Sequence, residues 1–171
     1  MSDAAMSVSI PAAYLQRRDG LGRLISSTWS SDLASINTDG ARWLTAVDGS
    51  LCSLRAVVAI VRLVKIGQGN AVDLVNVQSW LSKEAAETQL VRYGWEATEQ
   101  ARGLLNAAGI PWRLHVVMGE DATSIVELAD ILGSLGICVG SHGLTAAESV
   151  LLGSVTCKVL RLAKVPVLIV R

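Results

Sequence analysis

Two short stretches carry residue types suited to holding a phosphate. Gly140-Ser141-His142-Gly143 is followed by nine residues, Leu144 to Leu152, and then by Gly153-Ser154. Glycines at 140 and 143 let a backbone turn sharply and approach a ligand with no Cβ in the way. Gly153 and Ser154 open the last helical pattern, where unpaired N–H groups and the helix dipole favour an anion. The Ser154 hydroxyl offers either a helix cap or a bond to a phosphate oxygen. In a second turn, Asp48-Gly49-Ser50, Asp48 is either a ligand-facing carboxylate or a turn residue bonding its own backbone. On residue types alone, the same pattern also describes ordinary turns and a capped helix.

Phosphoryl transfer needs a placed metal, charge stabilisation and a positioned nucleophile. The P-loop lysine pattern GxxxxGK(S/T) is absent, and no Lys or Arg lies between Gly140 and Gly153. No general base is identified and no catalytic residue is assigned. His142 is read as a loop residue touching phosphate or solvent rather than as a proton shuttle. His115 alternates with apolar neighbours and reads as structural. The three cysteines, Cys52, Cys138 and Cys157, form no CxxC pair, so neither a zinc site nor a disulfide framework is expected. All three thiols are expected in the core.

Charge narrows the partners. Fifteen basic and fifteen acidic residues give a formal net charge of +0, without the electrostatic footprint of a nucleic-acid binder. No nucleic-acid partner is expected. Met1 to Ser7 has no basic n-region, and no apolar run approaches the roughly 18 residues of a membrane span. A cytoplasmic chain without membrane association is the expectation.

The elements that must position these residues begin near residue 41. Residues 1–40 are rich in Ser, Ala and Asp, and read as an extension that is partly ordered at best. In it Tyr14, Leu15, Leu21, Leu24 and Ile25 make a short amphipathic piece, Gly20 and Gly22 break it, and Ser26-Ser27 and Ser30-Ser31 read as loop. Trp29 or Ile36 would dock it. From 41 to 171 the chain forms one domain. Strands are predicted at Trp43–Val47, Ala71–Val77, Trp112–Val117, Ile137–Val139 and Val165–Val170. Helices are predicted from Leu51 to Gly67, from a Ser82 cap to Gly109, from an Asp121 cap with Ile125, Leu128 and Leu132 inward, and over Val155–Ala163. The β-α-β-α-β-α-β-α-β alternation implies α/β architecture: a doubly wound parallel sheet with helices on both faces. Ligands of such sheets bind beyond the carboxyl ends of the strands, where both glycine turns fall. The five tryptophans read as core or dimer contacts, with Trp80 the one nearest a pocket.

The fragments Val47-Asp48-Gly49-Ser50, Gly140-Ser141-His142-Gly143, Leu151-Leu152-Gly153-Ser154-Val155 and Val165-Pro166-Val167-Leu168-Ile169-Val170 resemble the universal stress protein family. The resemblance covers about Arg42 to Arg171, and its G-2x-G-9x-G-(S/T) spacing marks the ATP-binding branch. It implies a Rossmann-like five-stranded sheet of order 3-2-1-4-5 and a homodimer joined through Val165–Val170. It implies bound ATP, or ADP or AMP, with Mg²⁺ carried on the phosphates. Ala46 and Val77 would line the adenine, Asp48 would face adenine or ribose, and Gly140, Gly143, Gly153 and Ser154 would hold the phosphates. Val155 would add a backbone N–H, and His142 would touch phosphate. Two positions depart from the family. Leu144 stands where a basic residue is common, and Glu148 adds a negative charge to the loop. The implied function is a nucleotide-binding regulatory protein with little or no turnover. The alternatives are a dimeric interaction module that no longer binds nucleotide, and a slow ATPase or phosphotransferase.

Overall fold

Short apolar runs separated by capped helices build one twisted sheet. The computed structural model describes residues 9–32, 41–143 and 152–171. Strands β1 (Leu15–Arg18) and β2 (Leu24–Ser30) precede β3 (Arg42–Ala46) and helix α1 (Leu51–Lys65). Then come β4 (Ala71–Gln78), α2 (Lys83–Ala85), a π-helical turn (Ala86–Leu90), α3 (Val91–Ala97) and α4 (Glu99–Ala108). The chain closes with β5 (Trp112–Met118), α5 (Asp121–Leu132), β6 (Gly136–Gly140), α6 (Ser154–Leu162) and β7 (Val167–Val170).

Sheet order is β1-β2-β5-β4-β3-β6-β7. The five strands from β5 to β7 run parallel, which is the expected 3-2-1-4-5 core. Alternation along β4 sends Val72 and Leu74 into one apolar layer and Val75 into the other. Helices α1 and α4 pack with the first layer, and α5 and α6 with the second.

The sheet has seven strands rather than five, and the first two come from the segment read as a partly ordered extension. There β2 lies antiparallel to β5 and β1 antiparallel to β2. The expected serine loop is strand: Ser27 and Thr28 are buried against β5. The hairpin turn is built by Asp19, whose Oδ1 accepts from the N–H groups of Leu21 and Arg23 at 3.0 Å, and by Gly22 at φ 76°. Trp29 is the docking residue: its ring centroid lies 5.4 Å from that of Trp95, and its indole N–H donates to Pro11 O at 2.9 Å. Ile36, the other docking candidate, and the loop positions Leu144 and Glu148 lie outside the described residues.

Three local expectations need correction. Helix α5 is capped by Glu120, whose carboxylate accepts from Thr123 N–H, while Asp121 is its first residue. Its buried residues are Ala122, Ile125, Val126 and Ala129, so the inner face is wider than Ile125, Leu128 and Leu132, the last two packing against the same cluster half-buried. Of the cysteines only Cys138 is fully buried, its thiol pushed up to about 12 by burial, whereas Cys52 is half-buried and Cys157 exposed. Ser82 does cap α2, accepting from Ala85 N–H at 3.2 Å. No helix among the described residues is long and apolar enough to cross a membrane.

Candidate functional site

Three elements end beside one another at the carboxyl edge of the sheet: β3, β4 and β6. Between them and the first turns of α5 and α6 lies a cavity of about 210 Å³. All nine residues singled out in the sequence line it. Ala46 and Asp48 come from the end of β3, Val77 from β4, and Gly140, His142 and Gly143 from the end of β6; Gly153, Ser154 and Val155 come from the start of α6. Trp80 does not line the cavity and is 59% exposed.

The floor is apolar because alternate residues of a parallel strand face the same layer. Val75 therefore joins Val77, and Val139 and Ile125 close the same side. At the other end, Gly153 is the N-cap of α6 and has no side chain with which to cap it, so Ser154 is a first-turn residue and not the cap. The first helical bond of α6 runs from Cys157 N–H to Gly153 O at 3.0 Å. The earlier N–H groups at 154, 155 and 156 thus precede the intrahelical bonds, and their residues line the cavity at the positive end of the helix dipole.

The loop glycines work by contact rather than by backbone conformation, since neither Gly140 nor Gly143 adopts a positive φ. A Cβ on Gly140 would lie 2.7 Å from the carbonyl carbon of Cys52 in α1. Gly140 therefore lets the end of β6 press against α1. A Cβ on Gly143 would lie 2.9 Å from Asp48 Oδ2, so this glycine faces the carboxylate directly. Asp48 serves both of its sequence-level readings: Oδ1 accepts from Ser50 N–H at 2.9 Å, and Oδ2 is the oxygen turned toward Gly143.

Several further residues line the cavity that the sequence pattern does not assign to it. Thr156 donates its hydroxyl to Gly140 O at 2.8 Å, tying α6 to the end of β6. Ser53 donates to Ser50 O at 2.9 Å in the first turn of α1. Asp121 faces the cavity from α5. Its carboxyl is raised above the ordinary value by burial first, then by the charges of Glu120 and Asp48. One turn of helix separates Asp121 from Ile125, a spacing that marks a shared face. Behind the floor, Asn76 donates to Val47 O at 2.8 Å and holds the Val47-Asp48 turn on β4.

Comparison with known proteins adds the following. The model of the universal stress protein family matches residues 42–171. Universal stress protein YxiE of Bacillus subtilis (strain 168) is 30% identical over 146 residues, covering 76% of this chain and 98% of that protein. Universal stress protein MJ0531 of Methanocaldococcus jannaschii is 30% identical over 132 residues, covering 72% of this chain and 78% of that protein. Among solved structures, a universal stress protein in complex with cAMP matches with a TM-score of 0.61 at 28% identity, covering 78% of this chain and 99% of that one.

Proposed function

The chain belongs to the universal stress protein family, and from that premise we propose that it is a regulatory protein holding an adenine nucleotide in this cavity. One observation carries the reading: the same cavity joins an apolar floor at Ala46, Val75 and Val77 to the uncapped amides of α6. A purine suits the floor, and a phosphate suits amides at a helix N-terminus. Asp48, between the two, takes a ribose hydroxyl or an adenine N–H. Gly140 and Gly143 shape the loop, His142 and Ser154 reach the phosphate, and Gly153 and Val155 offer backbone N–H groups. The match to a relative complexed with cAMP supports an adenine nucleotide as occupant.

Binding rather than turnover is the reading because no Lys or Arg is among the described lining residues. Mg²⁺ would travel with the phosphates, keeping most of its waters. Among the described residues, no three His, Cys, Asp or Glu side chains converge on a metal position. The test is to denature freshly purified protein and identify released nucleotide by mass spectrometry. An adenine nucleotide near one per chain is expected. An empty protein that also takes up neither AMP nor ATP in titration with Mg²⁺ would sink the reading and favour an interaction module.

A homodimer is part of the same proposal. The two sheet edges differ: β1 presents exposed Gln16, Arg17 and Arg18, whereas β7 presents half-buried Val167, Leu168, Ile169 and Val170. Charge guards an edge and an apolar edge invites pairing, so a second copy is assigned to β7 across a two-fold. In the ladder to β6, Pro166 O and Val170 O accept from Ile137 and Ser141. The alternation places the Ile169 N–H on the outer side. Sedimentation should give two chains for the native protein and one for Ile169→Pro; a dimeric variant would remove β7 from the interface.

A further inference from the structure

Among the described residues, two carboxylates and no Lys or Arg line the cavity, and this has consequences for the charge of whatever enters it. Asp48 and Asp121 both line it, one just past the end of β3, the other on the first turn of α5. No Lys or Arg occurs anywhere between Arg113 and Lys158, and the loop joining Gly143 to Gly153 contributes only Glu148 to the charge. Lys158, the first cation after the loop, lies on α6, but its ammonium is 2.9 Å from Glu120 Oε2. Glu120 is itself held ionised, its carboxyl brought down to about 2 by the Thr123 hydroxyl first and Lys158 next. That positive charge is thus paired with the neighbour of Asp121. Among the described residues, the start of α6 meets an anion with a partial positive charge equivalent to about half an elementary charge.

That balance suits a ligand with one phosphate and opposes one with three. We infer that Asp121 is a specificity-determining residue that makes the cavity select adenosine monophosphates, linear or cyclic, over metal-free ADP and ATP. The inference rests on the reading that the cavity holds an adenine nucleotide, and names its ligand class. The first phosphate reaches the amides of Ser154 and Val155. Each further phosphate adds negative charge to a cavity lined by Asp48 and Asp121, where no Lys or Arg is among the described lining residues. Mg²⁺ offsets that charge by bringing its own, so the triphosphate binds better as its magnesium complex than without the metal.

The test is calorimetric titration of the full chain with AMP, ADP and ATP, first in EDTA and then in excess Mg²⁺, for the native protein and Asp121→Asn. In EDTA, affinity should fall in the order AMP, ADP, ATP, with ATP about tenfold or more weaker than AMP. Mg²⁺ should recover most of the ATP affinity. Asp121→Asn should tighten all three, by a factor that grows with ligand charge, so that the AMP-to-ATP ratio shrinks several-fold. Glu120, not Asp121, caps α5, so the variant keeps the helix start, and circular dichroism checks this. Raising the salt on the native protein should shrink the same ratio without any mutation, because screening weakens repulsion. Equal binding of AMP and ATP in EDTA would overturn the inference while leaving the nucleotide site intact. So would an Asp121→Asn effect of equal size on all three ligands. Failure of every nucleotide to bind would overturn the underlying reading and this inference with it.

Discussion

Replacing Asp73 by asparagine is expected to cost about 3–5 kcal/mol of stability. Asp73 is 0% exposed in the middle of β4. Arg113 of β5 grips it with two bonds, Nε to Oδ1 at 2.5 Å and Nη2 to Oδ2 at 2.7 Å. His115 Nε2 lies 3.4 Å from Oδ1 and Arg42 Nη1 lies 3.8 Å from it. Burial is the largest influence on the carboxyl and would raise it. The hydrogen bonds from Arg113 and His115, with their charges, outweigh burial and leave it below its ordinary value. An amide fills the same space but leaves the guanidinium of Arg113 buried without a counter-charge. Because the folded pKa is depressed, this stabilisation is fully present above the unfolded carboxylate value, about 3.9. It is lost as pH falls through the lower folded value. Urea unfolding at pH 7 and near pH 3 checks both parts. The variant should be much less stable at pH 7, and the gap to the native protein should narrow in acid. An equal gap at both values would show that Asp73 acts by packing, not by charge.

That cluster also shows what a sequence hides. Asp73 sits inside Ala71–Gln78, a run legible as a buried strand because its neighbours are apolar on both faces. Its partners lie on β3 and β5, and only strand register brings them together. Arg113 stands opposite Asp73 in the β4–β5 pairing. The hairpin was lost for a related reason. Serines at 26, 27 and 30 are poor strand formers, and only pairing to β5 makes strand of them. By contrast, the five-strand core, the Ser82 cap and the left-handed Gly109 that ends α4 depend on local patterns, which can be read directly.

The cavity divides the same way. Its glycine loop, Asp48 and the ends of β3 and β4 were legible because motif spacing and strand ends fall on adjacent residues. Thr156 and Asp121 were not, because their relevance comes from which way α6 and α5 face. The motif named Gly140 and Gly143 correctly but suggested a single reason for both, backbone freedom near a ligand. The structure separates them: one glycine touches α1, the other touches a carboxylate.

That separation gives the two glycines opposite expected phenotypes. Gly143→Val should abolish measurable nucleotide binding, a loss of about a hundredfold or more, while leaving the protein folded. Gly143 is exposed and not in the left-handed region, so a side chain adds little backbone strain there. The new Cβ would lie 2.9 Å from Asp48 Oδ2, and valine's two methyl groups project further into the space between the carboxylate and the phosphate amides. Gly140→Val should instead fail in the fold. Its Cβ meets the Cys52 carbonyl carbon at 2.7 Å and Cβ at 2.8 Å, and the first turn of α1 cannot retreat without breaking the Ser50 cap. Overpacking of this kind costs about 1–3 kcal/mol or more. Circular dichroism melting and nucleotide titration, run on both variants, separate the two roles. A Gly143→Val protein that melts like the native one and still binds AMP with native affinity would remove this loop from the site. A Gly140→Val protein of native stability would remove the contact with α1 as the reason for its glycine.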